Sequence, residues 1–472
     1  PRTISWGLVS QRRIDRARAW FERNLVAAVF VSRFIPGLRL PTNLGAGITH
    51  ASPLRFLTLA FMASFVWTLL VLSSVSKVGE MLLPYVGPYK WPIFVAMIAF
   101  FALVQYRSVK RMGEEPVSER PIASVFEFWP PAVFYAPVAV YYFWLALKHR
   151  SLTLPTAANP SIYSGGMIRE SKCEILSMVA DDIRTKWIAP HVAFDRPADG
   201  APAQMADAAL TALAAAGIDF SFVAKPDRGQ RGVGVQPVRT RAELEAYLAA
   251  FPAGETICLQ RLVEYPNEVG LMYYRFPDEE RGRITSITHK TFPHVTGDGV
   301  NSLRHLIAID PRAALMKKMY FARHADELDH VLDNGKRFPL VFAGNHKQGC
   351  IFRDGVHLHS PELERRIDEI ARAVPGFFFG RFDLRYASEE ELRRGEAFTI
   401  VEINGAAAES THIWDPEAQL ADAYRTLFEQ FRVLFAIGDA NRRRGVQPLG
   451  PVQFLKDVLL YHRVASHYPS AK

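Results

Sequence analysis

Three stretches without a charged side chain mark the first third of this sequence: residues 56 to 76, 91 to 106 and 128 to 147. The first, FLTLAFMASFVWTLLVLSSVS, lies between Arg55 and Lys77 and is long enough to cross a hydrocarbon core of roughly 30 Å, so it predicts a transmembrane helix. The second, WPIFVAMIAFFALVQY, is shorter, but Lys90 before it can snorkel and the basic RSVKR follows it, which predicts a second crossing. Basic residues cluster before the first run (Arg12, Arg13, Arg16, Arg18, Arg23) and after the second (Arg107, Lys110, Arg111), so both ends are expected in the cytoplasm. Residues 25 to 48 are apolar but carry Arg33, Pro36, Gly37, Arg39, Pro41, Gly45 and Gly47. A straight spanning helix tolerates that density poorly, whereas a re-entrant hairpin lining a wet cavity accepts it; a broken interfacial helix is the alternative. The third run is broken by Pro130, Pro131 and Pro137 and followed by Lys148, His149 and Arg150. It is expected to return as a hairpin or to lie in the membrane plane, leaving everything after it on the cytoplasmic side.

Beyond residue 150 strand-like and helix-like runs alternate with ordinary charge, which predicts a soluble α+β body. DAALTALAAAG (207 to 217) reads as a helix ending at Gly217. FSFVAKPDRGQRGVGVQPV (220 to 238) reads as a strand ending in Lys225, a loop with Gly229, Gly232 and Gly234, and a second strand. Such glycines let backbone N–H groups approach phosphate oxygens and the lysine adds a point charge, although a plain turn has the same pattern and no P-loop spacing is present. TICLQRLVEYPNEVGLMYY (256 to 274) is a strand, a short connection and another strand, with Glu268 just after the connection. RFDLRY (381 to 386) and FTIVEIN (398 to 404) predict two strands joined by a charged hairpin, with Asp383 and Glu402 facing each other. Glu402 and Asn404 share a strand face, as do Arg381 and Asp383. Two carboxylates and an amide oxygen suit Mg²⁺, which prefers oxygen ligands. For Arg381 and Arg385 the competing reading is surface ion pairing with Glu389 to Glu391.

The chain has 472 residues, above the size at which single cores stop growing, so two or more domains are expected. With 22% charged and 49% hydrophobic residues, disorder is excluded. Cys173, Cys258 and Cys350 lack metal-ligand spacing and predict neither disulfides nor zinc; His289, His294, His346, His357, His359 and His412 show no zinc spacing either. The net charge of +8 partly reflects the arginines beside the apolar runs, and no aromatic-basic motif calls for nucleic acid. Pro1 in place of Met, with no signal-peptide pattern, predicts a chain that lacks its natural N-terminus. NPSIYSGGMIRESK (159 to 172) is either a grip for an anionic substrate or a loop capping a helix near Glu170. GNHKQG (344 to 349) and GAAAESTH (405 to 412) are candidate acceptor contacts, and PVQFLKDVLLYHRVA is an amphipathic helix expected to dock on the body, with membrane contact as the alternative.

Two resemblances organise these readings. SRFIPGLR, the following AGI and the Phe-rich helix with Trp67 resemble the second half of the DedA (VTT) membrane family over about residues 10 to 106. That resemblance implies that Arg33 and Arg39 match the family's functional arginines and contact lipid phosphate. The lysine and glycine hairpin, the strand-connection-strand with its glutamate, and R-x-D followed by E-x-N resemble the ATP-grasp superfamily over about residues 160 to 435, closest to carboxylate-amine ligases such as D-alanine:D-alanine ligase. It implies ATP as substrate, with Lys225, Gly232 and Lys290 at its phosphates, Gln260 and the backbone around Leu262 at adenine, and Glu268 at ribose. Asp383, Glu402 and Asn404 are implied to hold one or two Mg²⁺, or Mn²⁺, and Arg381 to stabilise the transferred phosphoryl group; Lys186 is a weaker candidate for a further phosphate lysine. Gln260 departs from the glutamate many relatives carry.

The expected organisation is a multidomain one: an α-helical membrane module with a re-entrant hairpin (1–113), a hydrophobic hairpin and linker (114–158), an α+β ATP-grasp domain (159–440) and an amphipathic tail (441–472). The implied activity is an ADP-forming ligation of a carboxylate to an amine, on a lipid-linked or envelope-precursor substrate at the bacterial inner membrane. The alternatives are a lipid flippase or transporter with a regulatory nucleotide domain, or an anchored ligase acting on a soluble amino acid or peptide.

Overall fold

The computed structural model describes residues 58, 60–64 and 122–469, except 231, 343, 345, 347 and 348. The chain divides into two units, Pro1–Ser118 and Glu119–Lys472. In the first, residues 60–64 are helical and Ser64 Oγ donates to the Ala60 carbonyl at 2.7 Å. Arg33, Arg39, nearly all of 56–76 and all of 91–106 lie outside the described residues. Among the described residues no helix is long and apolar enough to cross a membrane.

The second unit is built on two main antiparallel sheets. β1 (His191–Asp195), β2 (Phe222–Pro226), β3 (Gln236–Val238) and β4 (Thr256–Arg261) form a four-stranded sheet in the order β1-β4-β2-β3. The helices Pro202–Ala215 and Arg241–Ala250 cover one of its faces, burying Ala209, Leu213, Leu244 and Leu248 against Phe222, Ala224, Ile257 and Leu259. Thr240 and Glu243 fix the start of the second helix as a reciprocal capping box, which satisfies otherwise orphaned N–H groups.

β5 (Asn267–Tyr274), β6 (Arg283–Thr291), β9 (Ile351–Asp354), β10 (Phe379–Tyr386) and β11 (Phe398–Asn404) form a five-stranded sheet in the order β11-β10-β5-β6-β9. Between them β7 (His294–Thr296) and β8 (Arg337–Pro339) pair over a small core of their own. The largest core lies under the five-stranded sheet, where Leu363, Ile367, Ile370 and Ala371 of the helix Pro361–Arg372 meet Val269, Leu271, Tyr273, Phe382, Leu384 and Tyr386. Strand alternation therefore turns Glu268 and Gly270 of β5, and Arg381, Asp383 and Arg385 of β10, to the opposite face.

β11 does not follow simple alternation. Phe398, Ile400 and Ile403 all enter the core, a step of two and then of three residues. The register shows why: Asp383 pairs with Glu402 and Leu384 with Ile400, so Val401 is an extra residue in a β-bulge. The bulge moves Glu402 and Asn404 onto the face that carries Asp383.

Several expectations change. The stretch 128–147 is a short helix, Pro131–Phe134, then a kink and the helix Ala136–Lys148, whose Val138 and Leu145 pack in clusters shared with Leu427 and Phe435 of the helix Leu420–Arg443. It belongs to the second unit, so no domain boundary falls at 158, and the boundary expected at 440 falls inside a helix. The charged connection between β10 and β11 contains a helix, Glu389–Arg393, capped by Ser388. The helix Pro451–Ala465 docks on the body, but by a polar contact: Asp457 is buried against Tyr163 at 2.6 Å, while Val452, Leu455 and Leu459 are exposed.

Candidate functional site

The connection from β4 to β5 carries the chain from one sheet to the other, and a cavity of about 820 Å³ opens between them. Ten of the site residues expected in this unit line it: Lys225, Gly232, Gln260 and Leu262 from the smaller sheet and its loops, and Glu268, Lys290, Arg381, Asp383, Glu402 and Asn404 from the larger one. Lys186 does not; its ammonium lies over the Trp187 ring, 5.1 Å from the centroid.

Buried ion pairs organise the larger sheet's side of the cavity. Glu268 and Lys290 are register partners on β5 and β6, and Lys290 Nζ donates to Glu268 Oε1 at 2.8 Å and lies 3.1 Å from Asp383 Oδ1. Arg381 grips Asp383 with both ends of its fork, Nε to Oδ1 and a terminal nitrogen to Oδ2, each at 2.9 Å. Asn404 Nδ2 donates to the same Oδ2 at 3.2 Å. Burial raises the Asp383 carboxyl, but Arg381 and Lys290 outweigh it and hold it below the usual carboxylate range. Burial likewise works against charge on Lys290, yet Asp383 and Glu268 keep it above an ordinary lysine. Gly270 is needed beside this cluster, because a Cβ there would stand 2.9 Å from Asp383 Oδ1 and 3.1 Å from Arg381 Cδ.

The smaller sheet contributes one cation that reaches across. Lys225, at the end of β2, donates to Gln260 Oε1 at 2.9 Å and to the carbonyl of bulge residue Val401 at 3.0 Å, tying the sheets together. Gln260 Nε2 is buried without a hydrogen-bond partner, a donor turned to a cavity wall. Arg385 donates to the carbonyl of Val263 at 2.9 Å and approaches Glu268 Oε2 at 3.4 Å, so it holds the inter-sheet connection and does not pair with Glu389 to Glu391.

Residues outside the expected nucleotide and metal set complete the walls. Glu170 is buried with Oε2 unpartnered, and burial pushes its carboxyl up to about 7. Lys172 Nζ donates to the Gly229 carbonyl and lies 3.4 Å from Glu402 Oε1. In the same 159–172 segment Asn159 is structural, its amide bonded to the backbone of Gly165, Phe378 and Phe379, and Ser171 caps the helix Lys172–Ser177. At the far end Glu409 accepts from Tyr135 Oη at 2.7 Å and Trp414 Nε1 at 3.0 Å, and Glu127 accepts from Arg312 and from His346 at 2.7 Å. Gly344 and His346 of GNHKQG, and Glu409 and Thr411 of GAAAESTH, line the cavity. Glu127, Trp129 and Tyr135 were hidden because their stretch reads as membrane-associated.

Comparison with known proteins bears on part of the first unit. Residues 2–77 match the VTT domain family. The chain carries a VTT domain at its N-terminus. Over 99 residues it is 28% identical to undecaprenyl phosphate transporter A of Bacillus subtilis, covering 20% of this chain and 50% of that protein. The Staphylococcus aureus protein of the same name is 26% identical over 112 residues, 23% of this chain and 54% of its own length. The chain thus spans about half the length of the curated relatives it matches, and Arg33 and Arg39 fall within the VTT match. Among solved structures it is similar to a bifunctional glutathione synthetase from Pasteurella multocida (14% identity, 58% of this chain, 39% of that one, TM-score 0.30). It is also similar to the VanG D-Ala:D-Ser ligase from Enterococcus faecalis (14%, 58% and 62%, TM-score 0.33) and to the ATP-grasp ligase PsnB (12%, 55% and 59%, TM-score 0.28).

Proposed function

We propose that Glu119–Lys472 is an ATP-grasp carboxylate-amine ligase, ADP-forming, attached to a VTT membrane module. The observation that carries the reading is one cavity between two antiparallel sheets, into which one sheet sends Lys225 and the other Lys290, Arg381, Asp383, Glu402 and Asn404.

A carboxylate is a poor electrophile, and activating it means bringing two anions together. In the proposed reaction a substrate carboxylate oxygen attacks the γ-phosphorus of ATP and ADP leaves; the amine then attacks the acyl carbon and phosphate leaves. Lys225 and Lys290 offset phosphate charge, and Arg381, held in place by Asp383, meets the charge that develops on the transferred group. Gln260 offers its unpartnered Nε2 to the adenine edge, the backbone around Leu262 flanks the base, Gly232 shapes the loop over the phosphates, and Glu268 accepts from ribose hydroxyls. Among the described residues no three His, Cys, Asp or Glu side chains stand close enough to hold a metal by themselves. The donor types nevertheless fit Mg²⁺ or Mn²⁺, with Asp383 and Glu402 carboxylates and the Asn404 amide oxygen supplying hard ligands and leaving positions for phosphate. When bound, the ion supplies charge that offsets phosphate repulsion.

The VTT match supports a membrane location, and the basic clusters beside the apolar runs, with the need for ATP, support a bacterial inner membrane with this unit on the cytoplasmic side. Relatives named for transport of undecaprenyl phosphate support a lipid-linked or envelope-precursor substrate, with Arg33 and Arg39 contacting lipid phosphate. The test is to incubate the full chain in detergent with ATP, Mg²⁺, pooled lipid precursors and amino acids, with hydroxylamine to trap an acyl phosphate as a hydroxamate. Substrate-dependent ADP, a hydroxamate and a ligated product are expected. ADP release that no carboxylate stimulates, or none at all, refutes the ligase.

A further inference from the structure

The helix Ala136–Lys148 buries one side and bares the other. Val138 and Leu145 point into the body, whereas Val140, Phe143, Trp144 and Leu147 are 72%, 58%, 51% and 79% exposed. Those four occupy positions i, i+3, i+4 and i+7, which is a single helix face. No charged residue interrupts 128–147, and charge arrives only at the end of the helix and just past it, in Lys148 and Arg150. Lys148 Nζ lies 5.3 Å from the Trp144 ring centroid. An apolar row closed by a tryptophan and a lysine is the arrangement that settles at a lipid headgroup boundary, with the ring at the interface and the ammonium among phosphates. Thirteen residues of helix span about 20 Å, too short to cross a bilayer but suited to lying along it.

The chain itself indicates what covers this face. The uncharged runs 56–76 and 91–106 precede it, and residues 2–77 match the VTT domain. Only residues 107–121 separate the second run from the described part of this unit, a contour of roughly 55 Å at most. A face tethered that close to a bilayer meets lipid at high effective concentration. We propose that Val140, Phe143, Trp144 and Leu147 dock on the bilayer surface with the helix axis in the membrane plane. This rests on the membrane part of the proposed function and adds a consequence to it. Immediately before the helix, Trp129, Phe134 and Tyr135 line the cavity, so docking the helix brings that wall to the lipid and gives a lipid-borne substrate a direct entry.

The test uses the full chain with Leu147→Cys carrying an environment-sensitive fluorophore; the native Cys173, Cys258 and Cys350 are buried. It is mixed with phosphatidylcholine and phosphatidylglycerol vesicles containing lipids spin-labelled near the headgroup. Emission should shift to the blue and fall by roughly half or more, as for a group seated at the headgroup boundary. If the chain floats with the vesicles but the label is neither shifted nor quenched, the docking is overturned and the membrane reading survives. If the label is already shielded from iodide in detergent and lipid does not quench it, the chain or a second copy covers the face, which also overturns it. A chain that fails to float overturns both readings.

Discussion

Asp383→Asn removes one negative charge from the middle of the buried cluster while keeping the side chain's shape. Both oxygens take charged donors, Arg381 at 2.9 Å on each and Lys290 at 3.1 Å on Oδ1. Truncating one partner of a buried ion pair costs about 3 to 5 kcal/mol, because the other charge is left uncompensated. Linkage gives a similar size: the carboxyl is held at about 2 against an ordinary 3.8, and nearly two pH units correspond to on the order of 2 kcal/mol at neutral pH. Glu268 stays 2.8 Å from Lys290 and softens the loss, so about 3 kcal/mol is expected. At about 2 cal/mol/K of unfolding entropy per residue, a unit of this size should melt about 4 °C lower. The folded pKa lies below the unfolded one, so this stabilisation is present above about pH 4 and is lost as pH falls through about 2. The gap between wild type and variant should therefore be full at neutral pH and close on acidification. Thermal and urea melts of the full chain in detergent, followed by tryptophan fluorescence, measure it. A variant within about 1 kcal/mol of wild type at pH 7, or a gap that widens in acid, would refute the reasoning.

Gly270→Ala should destabilise by about 1 to 3 kcal/mol and weaken nucleotide binding, since the new Cβ meets Asp383 and Arg381; melts and ATP-analogue titration check both. Glu170→Gln should match wild type near pH 5 and exceed it by up to about 3 kcal/mol near pH 8. The reason is that burial raises the Glu170 carboxyl from 4.5 to about 7, so its contribution is present below 4.5 and lost as pH rises through 7; melts across this range decide it. Gln260→Leu removes the unpartnered buried donor and should weaken binding of a fluorescent ATP analogue about tenfold, whereas undiminished binding would displace Gln260 from the adenine site.

Short-range pattern determined much of this protein. The charge-free runs, the β2–β3 hairpin with Lys225 and its glycines, and the pairing of β10 with β11 that sets Asp383 opposite Glu402 are all legible, because alternation and turn chemistry are local properties. Packing decided the rest. From FTIVEIN alone, strict alternation puts Phe398, Ile400, Glu402 and Asn404 on one face, and only the bulge at Val401 lets the first two enter the core while the last two meet Asp383. Contacts remote in sequence meet it there, with Ala189 donating to the Ile400 carbonyl and Lys225 donating to that of Val401. Glu170, Lys172, Glu127 and Glu409 reach the cavity from segments that no local period connects to it. The helix Pro451–Ala465 shows the same limit from the other side. Its periodicity defines an apolar face, but the face that docks is chosen by Tyr163 meeting Asp457, and a helical period carries no information about the surface it will meet.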